Sequence, residues 1–217
     1  GNVINPDNLI KQFGADTVRL YEMFMGPFDQ AIVWDNHGIL GVNRFLGKVW
    51  NIGTSKKIKD KIKNETLEKN LHKLIKKISE DIESMDFNTA ISSLMIFINE
   101  CHTLKEIPKN IWSAFLKLLS PFAPHITEEL WARIGNKKSI HISDWPKHDP
   151  RKIKEDSFEL VAQVNGNLRD VFNAPIGITE EKAREMTLNS QKIKNTIINK
   201  TIKKIIFVPN KLINIVI

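Results

Sequence analysis

The sequence predicts a mainly α-helical protein that ends in a small α/β domain. Over most of residues 38–134, apolar residues recur every three or four positions, the spacing of amphipathic helices with short connections. After residue 157 the pattern changes to short β-prone runs, the turn dipeptide Asn165-Gly166 and an acidic helix start at Thr179. Hydrophobic residues make up 41% of the 217, which is enough to build a core.

The helical part is predicted to contain a short leading segment and a bundle of four to five helices. The leading segment breaks at Gly14, and Asp16 is the expected N-cap of its second helix. A long helix starts near Gly38, and its buried stripe is predicted to comprise Val42, Phe45, Leu46, Val49 and Trp50. The later helices are expected at about 66–85, from an N-cap at Asn88, from Pro108 to Leu119, and from His125 to a stop at Gly135.

The remaining residues predict a linker and a small domain. Residues 147–157 are charged and contain little to bury, so we expect a linker there. Beyond it, Leu160–Val164 and Leu168–Phe172 are the two strands of a predicted hairpin, with a helix after Thr179. Two further strands, Lys203–Pro209 and Leu212–Ile217, complete the prediction.

The net charge of +7 favours an anionic partner, such as a nucleic acid or an acidic membrane. Its distribution is more informative than its sum. Residues 44–77 hold eleven Lys and Arg against three acidic residues, and residues 191–217 hold six Lys and no acid. A Lys-rich composition can arise without any binding role, so the charge alone leaves a solvated surface as the alternative.

The composition argues against several other classes of site. A single cysteine, Cys101, excludes an internal disulfide and a Cys-rich zinc site, and its apolar surroundings predict a buried thiol. The apolar runs are too short to span a membrane. No nucleophile–base arrangement, Gly-rich phosphate loop or metal-ligand spacing is present, so we expect no catalytic and no metal-binding residue.

Several segments resemble class I aminoacyl-tRNA synthetases, in the family order and over nearly the whole chain. The matching segments are Gly1–Pro6 (the residues after the KMSKS signature), Gly14–Leu20 (the GADxxR helix), and Asn43–Leu46 with Val49-Trp50, Asp86–Ala90 and Ser120–Trp131 (helices of the anticodon-binding bundle). The two C-terminal segments Gln163–Arg169 and Thr201–Ile217 resemble the small last domain of bacterial-type leucyl-tRNA synthetases.

The C-terminal segments favour the leucyl family among its relatives. Valyl enzymes typically end in a coiled-coil arm, and no sustained heptad is present here. Many isoleucyl enzymes end in a Cys-ligated zinc, which one cysteine cannot provide. A valyl or isoleucyl enzyme, or a non-catalytic basic RNA-binding scaffold, remains the alternative.

The resemblance implies a division of the chain and of its work. Residues 1–27 would end the catalytic core, 28–146 would form the anticodon-binding bundle, 147–157 the linker and 158–217 the C-terminal tRNA-binding domain. The full-length enzyme would attach leucine to tRNA(Leu) with ATP and Mg²⁺, as a cytoplasmic monomer without membrane or DNA partners. The HIGH and KMSKS signatures and the editing domain are not in these 217 residues, so this chain would dock tRNA without catalysis or a cofactor of its own.

Arg44 and Lys48 are the first candidates for contacts to tRNA phosphates. They lie one helical turn apart and opposite the apolar stripe, a spacing that can bridge successive phosphates. The other candidates are Lys56 and Lys57, then Asn165, Asn167 and Arg169 around the hairpin tip, and finally Lys203 and Lys204.

Each of these other candidates also has a structural interpretation. The two connection lysines can belong to a solvated loop, Asn165 can serve the turn, and Lys203 and Lys204 can protect a sheet edge. At Asn167 the relatives usually carry a basic residue, so one phosphate contact is missing or moved here. Trp50, Trp112 and Trp131 are predicted to lie in the core rather than to stack on bases, because of their helical spacing.

Overall fold

The computed structural model describes residues 4–27, 29–35, 37–55, 57–154 and 157–217. They divide into two compact units, Gly1–Ile153 and Lys154–Ile217. The first unit is helical, and the second combines a four-stranded sheet with two helices. The predicted fold class is therefore confirmed.

The first unit has seven α-helices in its described part. They are α1 (Pro6–Phe13), α2 (Ala15–Phe24), α3 (Gly38–Thr54), α4 (Glu65–Glu83), α5 (Phe87–Thr103), α6 (Lys109–Leu119) and α7 (Pro124–Arg133), followed by a 3₁₀ turn at Ile140–Ile142. The short strands β1 (Ile58–Lys59) and β2 (Ile107–Pro108) pair in parallel and tie the Lys-rich connection to the start of α6. This pairing is too short to leave a sequence signal.

The core of this unit forms where the apolar stripes of the helices meet. Val42, Phe45 and Val49 of α3 are buried there as the periodicity predicts. Trp112 and Trp131 are buried as well, which confirms that part of the tryptophan prediction. The predicted N-cap at Asn88 is wrong by two residues, because α5 already begins at Phe87 with Asp86 in the cap position.

Asp16 does not cap its own helix, contrary to the sequence prediction. Its buried carboxylate accepts hydrogen bonds from the backbone N–H groups of His125, at 3.3 Å, and Ile126, at 2.8 Å, and so caps α7 across the fold. Nearby, Arg19 donates to the carbonyl of Pro121 at 3.1 Å. Asp16 is the second residue of α2, and Gly14, with φ +87°, occupies the N-cap position without a side-chain cap.

Residues after the bundle are fastened to α4. The N–H of Asp149 donates to Nδ1 of His72 at 3.0 Å, and Lys152 pairs with Glu68. The first compact unit accordingly runs to Ile153.

The second unit is built from β3 (Ser157–Val164), β4 (Asn167–Pro175), α8 (Glu180–Asn189), α9 (Gln191–Ile197), β5 (Lys204–Val208) and β6 (Leu212–Val216). The strand order is β4-β3-β6-β5, in which β3 and β6 are parallel and the two outer pairs are antiparallel. The predicted hairpin and the two further predicted strands are confirmed, and Asn165 and Gly166 have the positive φ values of a type I′ turn, +50° and +78°. The separate helix α9 and the parallel pairing were not predicted.

Candidate nucleic-acid interface

The exposed face of α3 carries the two leading candidates. Arg44 and Lys48 both point away from the buried stripe. The Nε of Arg44 donates to the carbonyl of Leu40 one turn earlier, at 3.3 Å. The ammonium of Lys48 donates to Oδ1 of Asn99 on α5 at 2.7 Å. Two cations are therefore held one turn apart on the surface, each with further N–H donors that an anion can use.

The Lys-rich connection contributes differently from what the sequence suggests. The ammonium of Lys57 donates to the carbonyl of His102 at 2.9 Å, in the last turn of α5, where carbonyls lack intrahelical partners. A cation there is favourable for the helix dipole, so Lys57 has a structural role. Lys56 lies outside the described residues.

Trp50 is the exception to the tryptophan prediction. The residue is 37% exposed, and the guanidinium carbon of Arg133 lies 4.9 Å from the centroid of its ring. The position is at the margin of the apolar stripe, where the neighbouring helix α7 offers an arginine rather than an apolar side chain. This cation–π contact fixes a third cation beside α3, and Glu129 also accepts from its Nε at 2.7 Å. Arg133 was missed because nothing in the local sequence links it to α3.

In the second unit, the other candidates gather at one end of the sheet. Asn165 and Asn167 lie at the tip between β3 and β4, and Lys204 begins β5, paired with Val216 at the end of β6. The N–H of Lys203 donates to the carbonyl of Val216 at 2.8 Å. Because β3 and β6 run parallel, both end at this same side, which places the hairpin tip and the Lys203-Lys204 pair together.

Two of these residues have structural duties that sequence alone could not reveal. The Oδ1 of Asn165 accepts from the N–H of Ile217 at 3.0 Å, so this side chain holds the end of β6 as well as forming the turn. Arg169 is the extra residue of a bulge, because Ala162 pairs with Asp170 and Gln163 with Leu168. A bulge re-aims the side chain it carries, and Arg169 is exposed here.

Asp170 next to this bulge joins β4 to α9. Lys192 donates to its Oδ1 at 2.8 Å and Ser190 to its Oδ2 at 2.6 Å. The hydrogen bond from Lys192 lowers the pKa of the Asp170 carboxyl most, and that from Ser190 lowers it further. The pairing partly neutralises the acid, so Arg169 meets less opposing charge at this end of the sheet.

Among the described residues, no cluster of three or more His, Cys, Asp and Glu side chains is placed to hold a metal ion. Cys101 is fully buried, which confirms the predicted buried thiol, and burial raises the pKa of the thiol to about 12. None of the helices in the described ranges is long and apolar enough to cross a membrane.

Comparisons with known proteins match this chain to a protein family and to a solved structure. The model of the anticodon-binding domain of tRNA ligases matches residues 64–184, more than half of the chain. The structure is also similar to the LeuRS in the ternary complex of Agrobacterium radiobacter K84 agnB2 LeuRS with tRNA and LeuAMS, with a TM-score of 0.80 and 27% sequence identity. That match covers 100% of this chain and 30% of the other, so the chain spans about a third of that protein's length.

Proposed function

The chain belongs to the anticodon-binding domain family of tRNA ligases, and from that premise we propose that it is the tRNA-binding, C-terminal region of a leucine–tRNA ligase. The full-length protein would attach leucine to tRNA(Leu) using ATP and Mg²⁺, and this chain would dock the tRNA. The observation that carries the proposal is the match over the whole chain, bundle and α/β unit together, to a LeuRS bound to tRNA.

The surface chemistry supports tRNA as the partner. The exposed face of α3 holds Arg44 and Lys48, which can donate charge-assisted hydrogen bonds to phosphate oxygens. At the end of the sheet, Arg169, Lys203 and Lys204 are exposed and can do the same. Phosphate contacts of this kind fix register and orientation on a folded RNA and carry little base sequence information.

The leucine assignment rests on the second unit more than on the bundle. Related class I enzymes share the bundle, whereas the hairpin–helices–hairpin unit at 157–217 resembles the last domain of leucyl enzymes. We propose the divisions 1–27, 28–146, 147–157 and 158–217 as the end of the catalytic core, the bundle, the linker and the C-terminal domain. A monomer in the cytoplasm, where tRNA is charged, is the proposed working state.

A salt series tests the function directly. The 217-residue chain is titrated with a tRNA(Leu) or a tRNA(Ile) transcript between 50 and 300 mM KCl, and bound RNA is measured by filter retention. The affinity for heparin is measured by its competition with bound tRNA(Leu). We expect the logarithm of the tRNA(Leu) association constant to fall linearly with the logarithm of salt, with a slope near −0.7 to −0.9 for each phosphate contacted. We also expect tRNA(Leu) to bind more tightly than heparin or tRNA(Ile).

A matched pair of double variants distinguishes tRNA binding by the exposed face of α3 from a general attraction to basic charge. Arg44→Gln/Lys48→Gln and Lys69→Gln/Lys76→Gln remove the same charge, from α3 and from α4 respectively. The α3 variant should lose most of the affinity and the α4 variant little. Equal losses, or equal affinity of the wild type for all three ligands, would contradict specific docking, and undetectable tRNA binding would refute the proposal.

A further inference from the structure

Gly47 in the middle of α3 has no structural reason to be glycine. Glycine inside a helix is less favourable than alanine, because it loses more backbone freedom on folding. At Gly53 of the same helix packing explains the residue, since an added Cβ would lie 2.7 Å from Leu130. At Gly47 an added Cβ meets nothing within 4 Å, and the backbone is helical and exposed. The chain accepts a helix-weakening residue there without using the space itself.

The space at Gly47 lies within the cationic face of α3. Arg44 comes three residues earlier and is a neighbour of Gly47 on the helix surface. Lys48, one turn after Arg44, extends the same side and lies about 100° around the helix from Gly47. On the other flank is Trp50, with the guanidinium of Arg133 at 4.9 Å from its ring. The α3 helix packs against α5 on the Lys48 side, through Asn99, and against α7 on the Trp50 side.

We propose that Gly47 is the point where the sugar–phosphate backbone of the tRNA crosses α3, between Arg44 and Lys48 on one side and Arg133 on the other. This inference rests on the proposed function and adds residues to its site. Charge-assisted N–H···O bonds have lengths of about 2.7–2.9 Å, so a side chain that lifts the RNA backbone by roughly 1 Å would lengthen bonds on both flanks. Absence of a Cβ allows this close approach of a ligand to a helix.

Arg133 is positioned to contact a phosphate on the Trp50 side of Gly47. The stacked ring holds the guanidinium plane, and Glu129 is the hydrogen-bond partner of its Nε among the described residues. The remaining N–H groups of the guanidinium can reach a phosphate as a pair. The carboxylate of Glu129 offsets part of the charge of Arg133. Arg133 would therefore orient the phosphate through the geometry of its N–H groups as well as attract it by charge.

The test is a size series at Gly47 in the 217-residue chain. Gly47→Ala and Gly47→Leu are compared with Gly41→Ala, which also opens onto free space and lies about 120° around the helix, and with Thr66→Leu on the exposed face of α4. Affinity for a tRNA(Leu) transcript is measured at fixed salt, and thermal unfolding is followed by tryptophan fluorescence.

We expect binding and stability to move in opposite directions at position 47. Gly47→Ala should raise the unfolding temperature of the first unit by about 2–4 °C, because alanine favours the helix. It should weaken tRNA binding about threefold to tenfold, and Gly47→Leu should weaken it more than tenfold. Gly41→Ala should give the same gain in stability without the loss of affinity, and Thr66→Leu should leave affinity unchanged.

The outcomes separate the inference from the function. Salt-dependent tRNA(Leu) binding by the wild type, together with unchanged affinity in both Gly47 variants, overturns the inference and leaves the proposed function standing. A loss of affinity in Gly41→Ala equal to that in Gly47→Ala overturns it as well. Absence of wild-type binding overturns the function itself. Arg133→Gln adds a second readout, an affinity loss with a salt slope reduced by about one, and an unchanged slope contradicts a phosphate contact of Arg133.

Discussion

Replacing Asp16 with alanine should destabilise the first unit through a helix that lies 109 residues further along the chain. Asp16 is 8% exposed, and its carboxylate accepts from the N–H groups of His125 and Ile126 at the start of α7. It also contacts Nδ1 of His125 at 2.7 Å. Alanine removes the acceptor and leaves those two N–H groups without their partner at a partly buried helix start.

The expected loss follows from these contacts. A lost N-cap costs about 0.5–2 kcal/mol, and a hydrogen bond to a charged group contributes about 1.5–3 kcal/mol. The side chain of His125 is 74% exposed, so water replaces its bond and only the backbone bonds count. We therefore expect Asp16→Ala to lower the free energy of unfolding by about 2–3 kcal/mol. Asp16→Asn keeps one acceptor and loses the favourable charge at the helix N-terminus, so about 1 kcal/mol is expected.

Urea unfolding followed by tryptophan fluorescence measures this loss in the right unit. All five tryptophans lie between Trp34 and Trp145, so the signal reports the first unit alone. The midpoint should shift with an unchanged slope, since the surface exposed on unfolding stays the same. Glu22→Ala removes an exposed carboxylate from the same helix and is the control, expected within about 0.5 kcal/mol of wild type. If Asp16→Ala unfolds at the same urea concentration as this control, the capping argument is refuted.

Three further outcomes are expected. Arg44→Ala should weaken tRNA(Leu) binding by about 1–2 kcal/mol in filter retention, and unchanged affinity would remove Arg44 from the site. Native Cys101 should resist a thiol reagent at pH 8 that labels it readily in urea, and fast labelling of the native protein would contradict this. Burial raises the pKa of the thiol from 9.0 to about 12, so its contribution to the stability of the fold is full below about pH 9 and is lost as the pH rises toward 12. Gly166→Ala should destabilise the second unit by about 1 kcal/mol in circular dichroism melts, because its φ is +78°, and a stabilised variant would contradict the turn assignment.

The two glycine substitutions compare space with backbone conformation. At both Gly47 and Gly166 an added Cβ meets nothing within 4 Å. Alanine is nevertheless expected to stabilise the first position and destabilise the second, because only Gly166 has a positive φ. Stability changes of opposite sign at two positions with open space would show that the backbone conformation, rather than packing, decides these effects.

Sequence periodicity was sufficient where local rules dominate. The buried stripe of α3, the stops at Gly14 and Gly135 and the Asn165-Gly166 hairpin all depend on residues within about two helical turns or one β-turn of each other. In these cases the hydrophobic spacing and the turn chemistry act over the same short range as the structure they predict. The sequence alone also determined that Arg44 and Lys48 share the face opposite the stripe.

Contacts between distant segments were decided only by the tertiary structure. Asp16 follows a helix start and looked like its cap, but its carboxylate serves α7, and Trp50 fits the apolar stripe yet faces Arg133 at the surface. The parallel pairing of β3 with β6 brings Lys204 to the end of the sheet that holds Asn165. The physical reason is common to all three. A side chain's local spacing determines which face of its own element it lies on, whereas its partner depends on which other element packs there.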